Sequence, residues 1–157
     1  SPTRPRRGRR AEGDPRVASG GEPQARAHRG SVIHLDTSAL VGALTRDGWS
    51  AAQIRGAIES GERLGISALT LYEWLRGPRT PEELRAQEAL FPADAAVPIG
   101  PREAAVAADL HRAARRPRAR AVDLAIAACA LAHGAALWTL NPADFEDVPG
   151  LKLYRPR

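Results

Sequence analysis

The chain has 157 residues, of which 43% are hydrophobic and 26% charged, a balance typical of one globular domain with its own core. No apolar run approaches the roughly 20 residues that span a bilayer, and the arginine-rich start lacks the apolar segment of a signal peptide, so we expect a soluble, non-membrane protein. The single cysteine, Cys129, excludes an internal disulfide and fits a reducing, cytoplasmic location.

The net charge of +5 is confined to the first part of the chain. Residues 1–30 contain eight arginines and three acidic residues, whereas the rest of the chain contains 15 basic and 15 acidic residues. This first segment is rich in Pro and Gly and poor in aliphatic residues, so it cannot bury enough surface to offset the entropy lost on ordering. We therefore predict a disordered tail over residues 1–31, or a non-native segment if translation starts at Val32, and a folded domain over residues 32–157.

Strand-like and helix-like segments alternate from Val32 onward. Pro81 lies in the first turn of one predicted helix, and Gly77 and Gly134 follow the last residues of two others. This alternation predicts an α/β fold in which helices cover both faces of a mainly parallel sheet. In chain order, the predicted elements are the strand VIHLD, the helices TSALVGAL and SAAQIRGAIES, the strand GISAL, the helices LTLYEWLR and PEELRAQEALF, the strand AVPI, the helices PREAAVAADLHRAAR and AVDLAIAACALAH, and the strands ALWTL and LKLY. The predicted inward positions of the last two helices include Ala105, Ala108, Leu110, Leu124, Ala127, Ala128 and Leu131.

Four acidic residues lie just beyond predicted strands or at the starts of the helices that follow them. They are Asp36, Glu73, Asp123 and Asp144. Because the carboxyl ends of parallel strands form the ligand crevice of such a sheet, we expect these side chains to converge. Several carboxylates in one crevice repel each other unless cations compensate them, and the cations that prefer oxygen ligands are Mg²⁺ and Mn²⁺.

Each acid also has a purely structural interpretation. Glu73 and Thr70 fit a capping box, Asp144 follows an Asn-Pro pair typical of a helix start, and Asp123 could interact only with a helix dipole. Asp36 is the hardest to explain in this way, because an ionised group beside an apolar core is costly without a partner.

Histidines and arginines near these acids give weaker signals. His34 alternates with apolar residues in its strand and is expected to be packed or exposed at the edge of the sheet, not a ligand. The helical His111 and His133 lack partners at the spacing of zinc ligands. The run RAARRPRAR is either a solvated helix end or a contact for RNA phosphates, and both interpretations remain open. The arginines of this run that we select as candidate RNA contacts are Arg112, Arg115 and Arg116.

Four segments, VIHLDTSALV, SALTLYEWLRG, RAVDLAIAACALAHG and LWTLNPADFEDVPGLKL, resemble the motif blocks of PIN-domain ribonucleases, particularly the toxins of VapBC toxin–antitoxin modules. The resemblance covers residues 32–157. It implies a three-layer α/β/α sandwich, Mg²⁺-dependent cleavage of RNA, neutralisation by a VapB-type antitoxin, and a homodimer. It also matches Asp36, Glu73, Asp123 and the more variable Asp144 to the family's acids, and Thr139 and Asn141 to its polar positions.

Hydrolysis of a phosphodiester requires an activated water and compensation of negative charge, and metal ions can supply both. We expect Asp36 and Asp123 to be the principal ligands, with Glu73 and Asp144 orienting water or completing a second site. Thr37 or Ser38 could hold the Asp36 carboxylate through a hydroxyl hydrogen bond. The alternative function is a non-catalytic PIN-like module that binds RNA or protein.

Several apolar residues on short predicted helices suggest a groove for a helix of the antitoxin. They are Trp49, Ile54, Trp74 and Leu75. A basic residue of the antitoxin could then reach the acids in place of a cation.

Overall fold

A three-stranded parallel sheet is the centre of the computed structural model, which describes residues 32–45, 48 and 50–157. The predicted tail and Trp49 therefore lie outside the described residues. The strands are β1 (Val32–Leu35), β2 (Arg63–Ile66) and β3 (Ala136–Trp138), and their order in the sheet is β2-β1-β3. In register, His34 of β1 pairs with Gly65 of β2 and Leu137 of β3.

Six α-helices connect and cover these strands within the described part of the chain. Ser67 caps the third of them, because its side chain accepts a hydrogen bond from the Thr70 backbone N–H, and Gly134 follows the sixth with a left-handed φ of +62°. The helices are α1 (Thr37–Leu44), α2 (Ala51–Glu59), α3 (Ala68–Arg76), α4 (Pro81–Leu90), α5 (Pro101–Ala113) and α6 (Ala121–Ala132). None of the helices in these ranges is long and apolar enough to cross a membrane.

Two predicted strands, AVPI and LKLY, are reduced to single parallel bridges, Ser67 with Val97 and Leu137 with Leu153. Val97 does bond to the edge strand, since its N–H donates to the Ile66 carbonyl at 2.9 Å. The next residue, Pro98, has no N–H with which to continue the ladder. The segment AVPI therefore has the sequence pattern of a strand, but its backbone pairs with the edge of the sheet at only one position.

Each face of the sheet has its own hydrophobic core, as alternation along the strands requires. Ile33 and Leu35 of β1 face α1, α2 and α3, while Leu137 of β3 faces α5 and α6. This arrangement is the predicted three-layer α/β/α sandwich. Ile54 and Trp74, which we had assigned to an antitoxin groove, are instead buried in the first core, because they lie on the inner faces of their helices.

Helix α5 turns a different face inward from the one predicted. Ala105 and Ala108 are exposed, whereas Val106 and Leu110 pack against α6. The helix begins at Pro101, and the side chain of Glu103 bonds back to the Gly100 N–H at 3.0 Å, so the start of the helix determines its rotation. The predicted inward positions Leu110, Leu124, Ala127 and Ala128 are buried.

Removal of residues 1–31 should leave the melting temperature and the metal-dependent activity unchanged. The reason is compositional, because this segment has too little apolar surface to add to a core. Thermal melts and cleavage assays of the full and shortened chains test this. A large loss of melting temperature or of activity in the shortened chain would show that residues 1–31 contribute to folding or to activity.

His34 is packed in the protein interior, as predicted, with only 3% of its surface exposed. Its Nδ1 has no hydrogen-bond partner among the described residues, and its ring centroid lies 6.0 Å from that of His133, whose Nε2 is 3.0 Å from the Glu103 carboxylate. Burial, and secondarily the nearby His133, lower the pKa of His34 from 6.5 to about 4.

This lowered pKa predicts a loss of stability in mild acid. The unfolded chain takes up a proton on His34 near pH 6.5 and the folded chain only near pH 4, so stability falls as the pH decreases through this window. Relative to His34→Leu, the unmutated protein should lose about 2 kcal/mol of unfolding free energy between roughly pH 7.5 and pH 5. Urea unfolding of both proteins at the two pH values measures this, and parallel pH profiles would contradict it.

Candidate metal centre

Asp36 is delivered to the carboxyl edge of the sheet by an extension of strand β1. Its N–H donates to the Trp138 carbonyl at 2.8 Å, which continues the pairing of β1 with β3 by one residue. Only 5% of Asp36 is exposed, and its side chain makes no capping hydrogen bond to helix α1. The carboxylate is therefore not used to cap helix α1.

Two hydroxyls hold the Asp36 carboxylate by the same oxygen. Ser38 Oγ donates to Oδ2 at 3.0 Å, and Thr139 Oγ1 donates to Oδ2 at 2.9 Å. The two hydroxyl oxygens are themselves fixed, because they accept the N–H groups of Leu140 and Asn141 at 2.9 and 3.0 Å. Among the residues that the structure describes, no hydrogen bond reaches the other carboxylate oxygen, Oδ1, so it can bind a ligand.

Glu73 faces the same edge from helix α3. The predicted capping box with Thr70 is wrong, because the helix begins earlier, at Ala68, and Ser67 caps it. The Thr70 hydroxyl donates instead to the Leu35 carbonyl at 3.1 Å, which fixes α3 to the end of β1. Glu73 Oε2 accepts the Thr37 hydroxyl at 2.6 Å, so Thr37 holds Glu73 while Ser38 holds Asp36.

Asp123 lies in the first turn of helix α6, and the pKa of its carboxyl is raised to about 6. Burial is the main cause, followed by the negative charges of Asp36, Glu73 and Asp144. A residue that served only as a partner of the helix dipole would have a lowered pKa. Burial together with the repulsion of three neighbouring carboxylates outweighs any such lowering, as expected for a carboxyl that lies near other acids.

Asp144 is the most exposed of the four acids and lies in a short 3-10 turn, Pro142–Asp144. The Asn141 side chain does not cap this turn, in contrast to the helix-start interpretation. The turn is anchored by Arg120, whose Nη2 donates to the Asp144 carbonyl at 2.7 Å and whose two Nη atoms bind the Asp147 carboxylate at 2.7 and 2.6 Å. This two-point bond lowers the pKa of Asp147.

Sequence reasoning missed the pairing of Arg120 with Asp147. The position of Arg120 three residues before Asp123 places it beside the acids, but no local pattern in the sequence indicates Asp147. The two partners are 27 positions apart in the chain, which explains why only the folded chain reveals the pair.

A comparison with the profiles of known protein families shows to which family this chain belongs. The profile of the family described as PIN domain matches residues 33–151, which is most of the chain. The chain belongs to the PIN domain family. Among curated proteins, no sequence matches this PIN domain significantly.

Solved structures share the fold of this PIN domain. A chain in the crystal structure of VapBC2 from Rickettsia felis, bound to a DNA fragment from the promoter, superposes with a TM-score of 0.61 at 18% identity, covering 78% of this chain and 97% of that one. FitAcB from Neisseria gonorrhoeae gives a TM-score of 0.58 at 21% identity, and DNA-bound VapBC from Salmonella typhimurium gives 0.58 at 19%, each covering 79% of this chain and 97% of the other. The expected PIN-like fold is thus confirmed.

The acidic group of the PIN domain was tested for its fit to a divalent cation. In the described part of the chain, no three His, Cys, Asp or Glu side chains converge closely enough to surround an ion directly. Mg²⁺ does not require this, because it is commonly held by one or two carboxylates and keeps several waters. The coupled carboxylates and the available Oδ1 of Asp36 are the hard oxygen donors that Mg²⁺ or Mn²⁺ prefers. The residues therefore fit such a cation.

The three arginines predicted to contact RNA lie at and beyond the end of helix α5. Arg112 forms an ion pair with Asp109 on the exposed side of its own helix. Arg115 and Arg116 are exposed, and Arg116 has a left-handed backbone with a φ of 50°. All three guanidinium groups are thus at the surface.

Proposed function

We propose that this PIN domain is a Mg²⁺-dependent endoribonuclease and the toxin of a type II toxin–antitoxin system of the VapBC kind. One observation carries the proposal. At the carboxyl edge of the sheet, burial and then the charges of three neighbouring carboxylates raise the pKa of Asp123 to about 6, while Asp36 presents one oxygen away from its hydroxyl partners. Arg76, whose Nη2 lies 3.4 Å from Glu73 Oε1, and Arg120 compensate only part of this negative charge, and a divalent cation would compensate the rest.

The chemistry divides between the cation and the protein. When bound, Mg²⁺, or Mn²⁺ in its place, supplies charge compensation and a lowered pKa for the attacking water. Asp36 and Asp123 would hold the cation, with the Asp36 carboxylate kept in one orientation by Ser38 and Thr139. Glu73 and Asp144 accept protons from water at the edge of the site and orient it toward the phosphorus.

The partners follow from the fold and from the exposed surface. The matched solved structures are of VapBC and FitAB-type assemblies, and we propose that a VapB-type antitoxin likewise binds this chain, that the chain forms a homodimer, and that it acts in the cytoplasm. Tyr72 and Leu75 of α3 are each more than half exposed, so they offer an apolar surface to an antitoxin helix. Arg112, Arg115 and Arg116 would contact RNA phosphates.

The proposal is tested by incubating the purified protein with end-labelled single-stranded RNA and Mg²⁺, Mn²⁺ or EDTA. We expect internal cleavage with either metal and none with EDTA. Because water is the attacking group, the products should carry a 5′-phosphate and a 3′-hydroxyl. RNA binding without any cleavage would favour the non-catalytic module, and metal-independent cleavage would contradict the mechanism.

A further inference from the structure

Residues 154–157, which we call the basic arm, run along the sheet toward the acids. The arm follows the bridge of Leu153 to Leu137, which is parallel, so the chain there has the same direction as β1 and β3. Two hydrogen bonds fix this register, from the Leu137 N–H to the Lys152 carbonyl and from the Tyr154 N–H to the Leu137 carbonyl, both at 2.8 Å. The arm therefore extends beyond the carboxyl edge of the sheet, where Asp36 lies.

The register places Arg155 level with Thr139. Tyr154 packs its ring 5.0 Å from that of Trp138, and Arg155 comes one position further along. Thr139, Pro142 and Arg155 line a common cavity of about 370 Å³. The Thr139 hydroxyl donates to Asp36, so Thr139 links this cavity to the candidate metal centre.

A second and larger hollow, of about 730 Å³, lies on the other side of the arm, against helix α2. Gly56, Ser60 and the acidic residue Glu62 line one wall, and Arg155 and Arg157 line the other. Both arginines are exposed, and neither forms an ion pair with a carboxylate in the described part of the chain. Pro156, between them, favours an extended backbone, which separates the two residues by about 6 to 7 Å.

We infer that the basic arm binds the phosphate backbone of single-stranded RNA on its way into the metal centre. The inference rests on the proposed function and names the surface that guides the substrate. A site of four carboxylates repels the phosphates of an incoming strand, and cations at the edge of that site offset the repulsion. Arg155 and Arg157 lie two residues apart, on either side of Pro156, and offer two guanidinium groups to successive phosphates. Arg155 connects the arm to the acids, since it lines one cavity with Thr139.

The test compares Arg155→Ala/Arg157→Ala with the unmutated protein in binding to a fluorescent single-stranded RNA, with Ca²⁺ replacing Mg²⁺ so that the strand stays intact. The double variant should bind about five to ten times more weakly, and the slope of log affinity against log salt should fall by about 1.4, which is about 0.7 per lost phosphate contact. Arg155→Lys/Arg157→Lys should retain most of the slope. Arg102→Ala is the matched control, because Arg102 is an exposed arginine at the start of α5 that lines neither hollow.

The Mg²⁺-induced rise in melting temperature should be the same in the double variant and the unmutated protein, because the arm lies outside the carboxylate group. Unchanged affinity and salt slope in the double variant, with RNA still cleaved by the unmutated protein, would overturn the role of the arm and leave the nuclease intact. Absence of RNA binding and cleavage by the unmutated protein would overturn both. If the double variant kept its RNA affinity but no longer bound an antitoxin peptide, the arm would belong to the protein partner and the inference would be wrong.

Discussion

Asp36→Asn and Asp123→Asn should each reduce Mg²⁺-dependent RNA cleavage by about two orders of magnitude or more, because each removes a charged ligand. The metal-free variants should be as stable as the unmutated protein or more stable, since one repelling charge is gone and the shape is kept. Asparagine at position 36 still offers an oxygen to the Ser38 and Thr139 hydroxyls, so the surrounding hydrogen bonds can persist.

The effect of Asp123→Asn on stability should depend on pH. The pKa of this carboxyl is raised to about 6, so its charge is costly in the folded protein at higher pH. The stabilisation by asparagine should therefore be present above pH 6 and should vanish as acid protonates the unmutated aspartate. Melts of both proteins across this range measure the change.

Three measurements separate catalysis from a structural role in these variants. Cleavage and melting are recorded with and without Mg²⁺, which should stabilise the unmutated protein more than either variant. Asp94→Asn, at an exposed carboxyl outside the group, serves as control and should behave like the unmutated protein. Full cleavage by a well-folded Asp36→Asn or Asp123→Asn protein would exclude the proposed mechanism.

Thr139→Val should lower the affinity for Mg²⁺, or the cleavage rate at fixed Mg²⁺, by about 10-fold to 100-fold. Valine preserves the shape but removes the hydroxyl that donates to Asp36 Oδ2 and accepts the Asn141 N–H. The free energy of unfolding should fall by only about 1 kcal/mol, because one hydrogen-bond network is incompletely satisfied. The protein should thus remain folded, so the loss of activity cannot result from unfolding.

Titration of cleavage and of melting temperature with Mg²⁺ distinguishes this orientation effect from general damage. Thr139→Ser retains the hydroxyl and should restore most of the metal affinity. A Thr139→Val protein with an unchanged Mg²⁺ dependence would show that the hydroxyl does not orient the Asp36 carboxylate.

The sequence by itself was sufficient to predict the α/β class, the helices and the three strands of the sheet, whereas a single site formed by the four acids stays a prediction. These features depend on short-range periodicity and on the fact that parallel strands end at one edge, so they can be read from neighbouring residues. Glu73 illustrates the limit of such reading. Its spacing from Thr70 fitted a capping box equally well, and only the actual start of α3 at Ala68 excluded this.

The sequence offered Ser38 as a partner of Asp36, but only the tertiary structure decided that Thr37 holds Glu73 and that Thr139 shares the Asp36 oxygen with Ser38. Ser38 reaches Thr139 and Leu140 across more than 100 residues of chain, and Arg120 reaches Asp147 across 27. It also decided the rotation of α5, the burial of Trp74 and the course of the basic arm beside Asp36. These contacts depend on how separate elements pack together, and local sequence patterns carry no information on the partner that packing brings into reach.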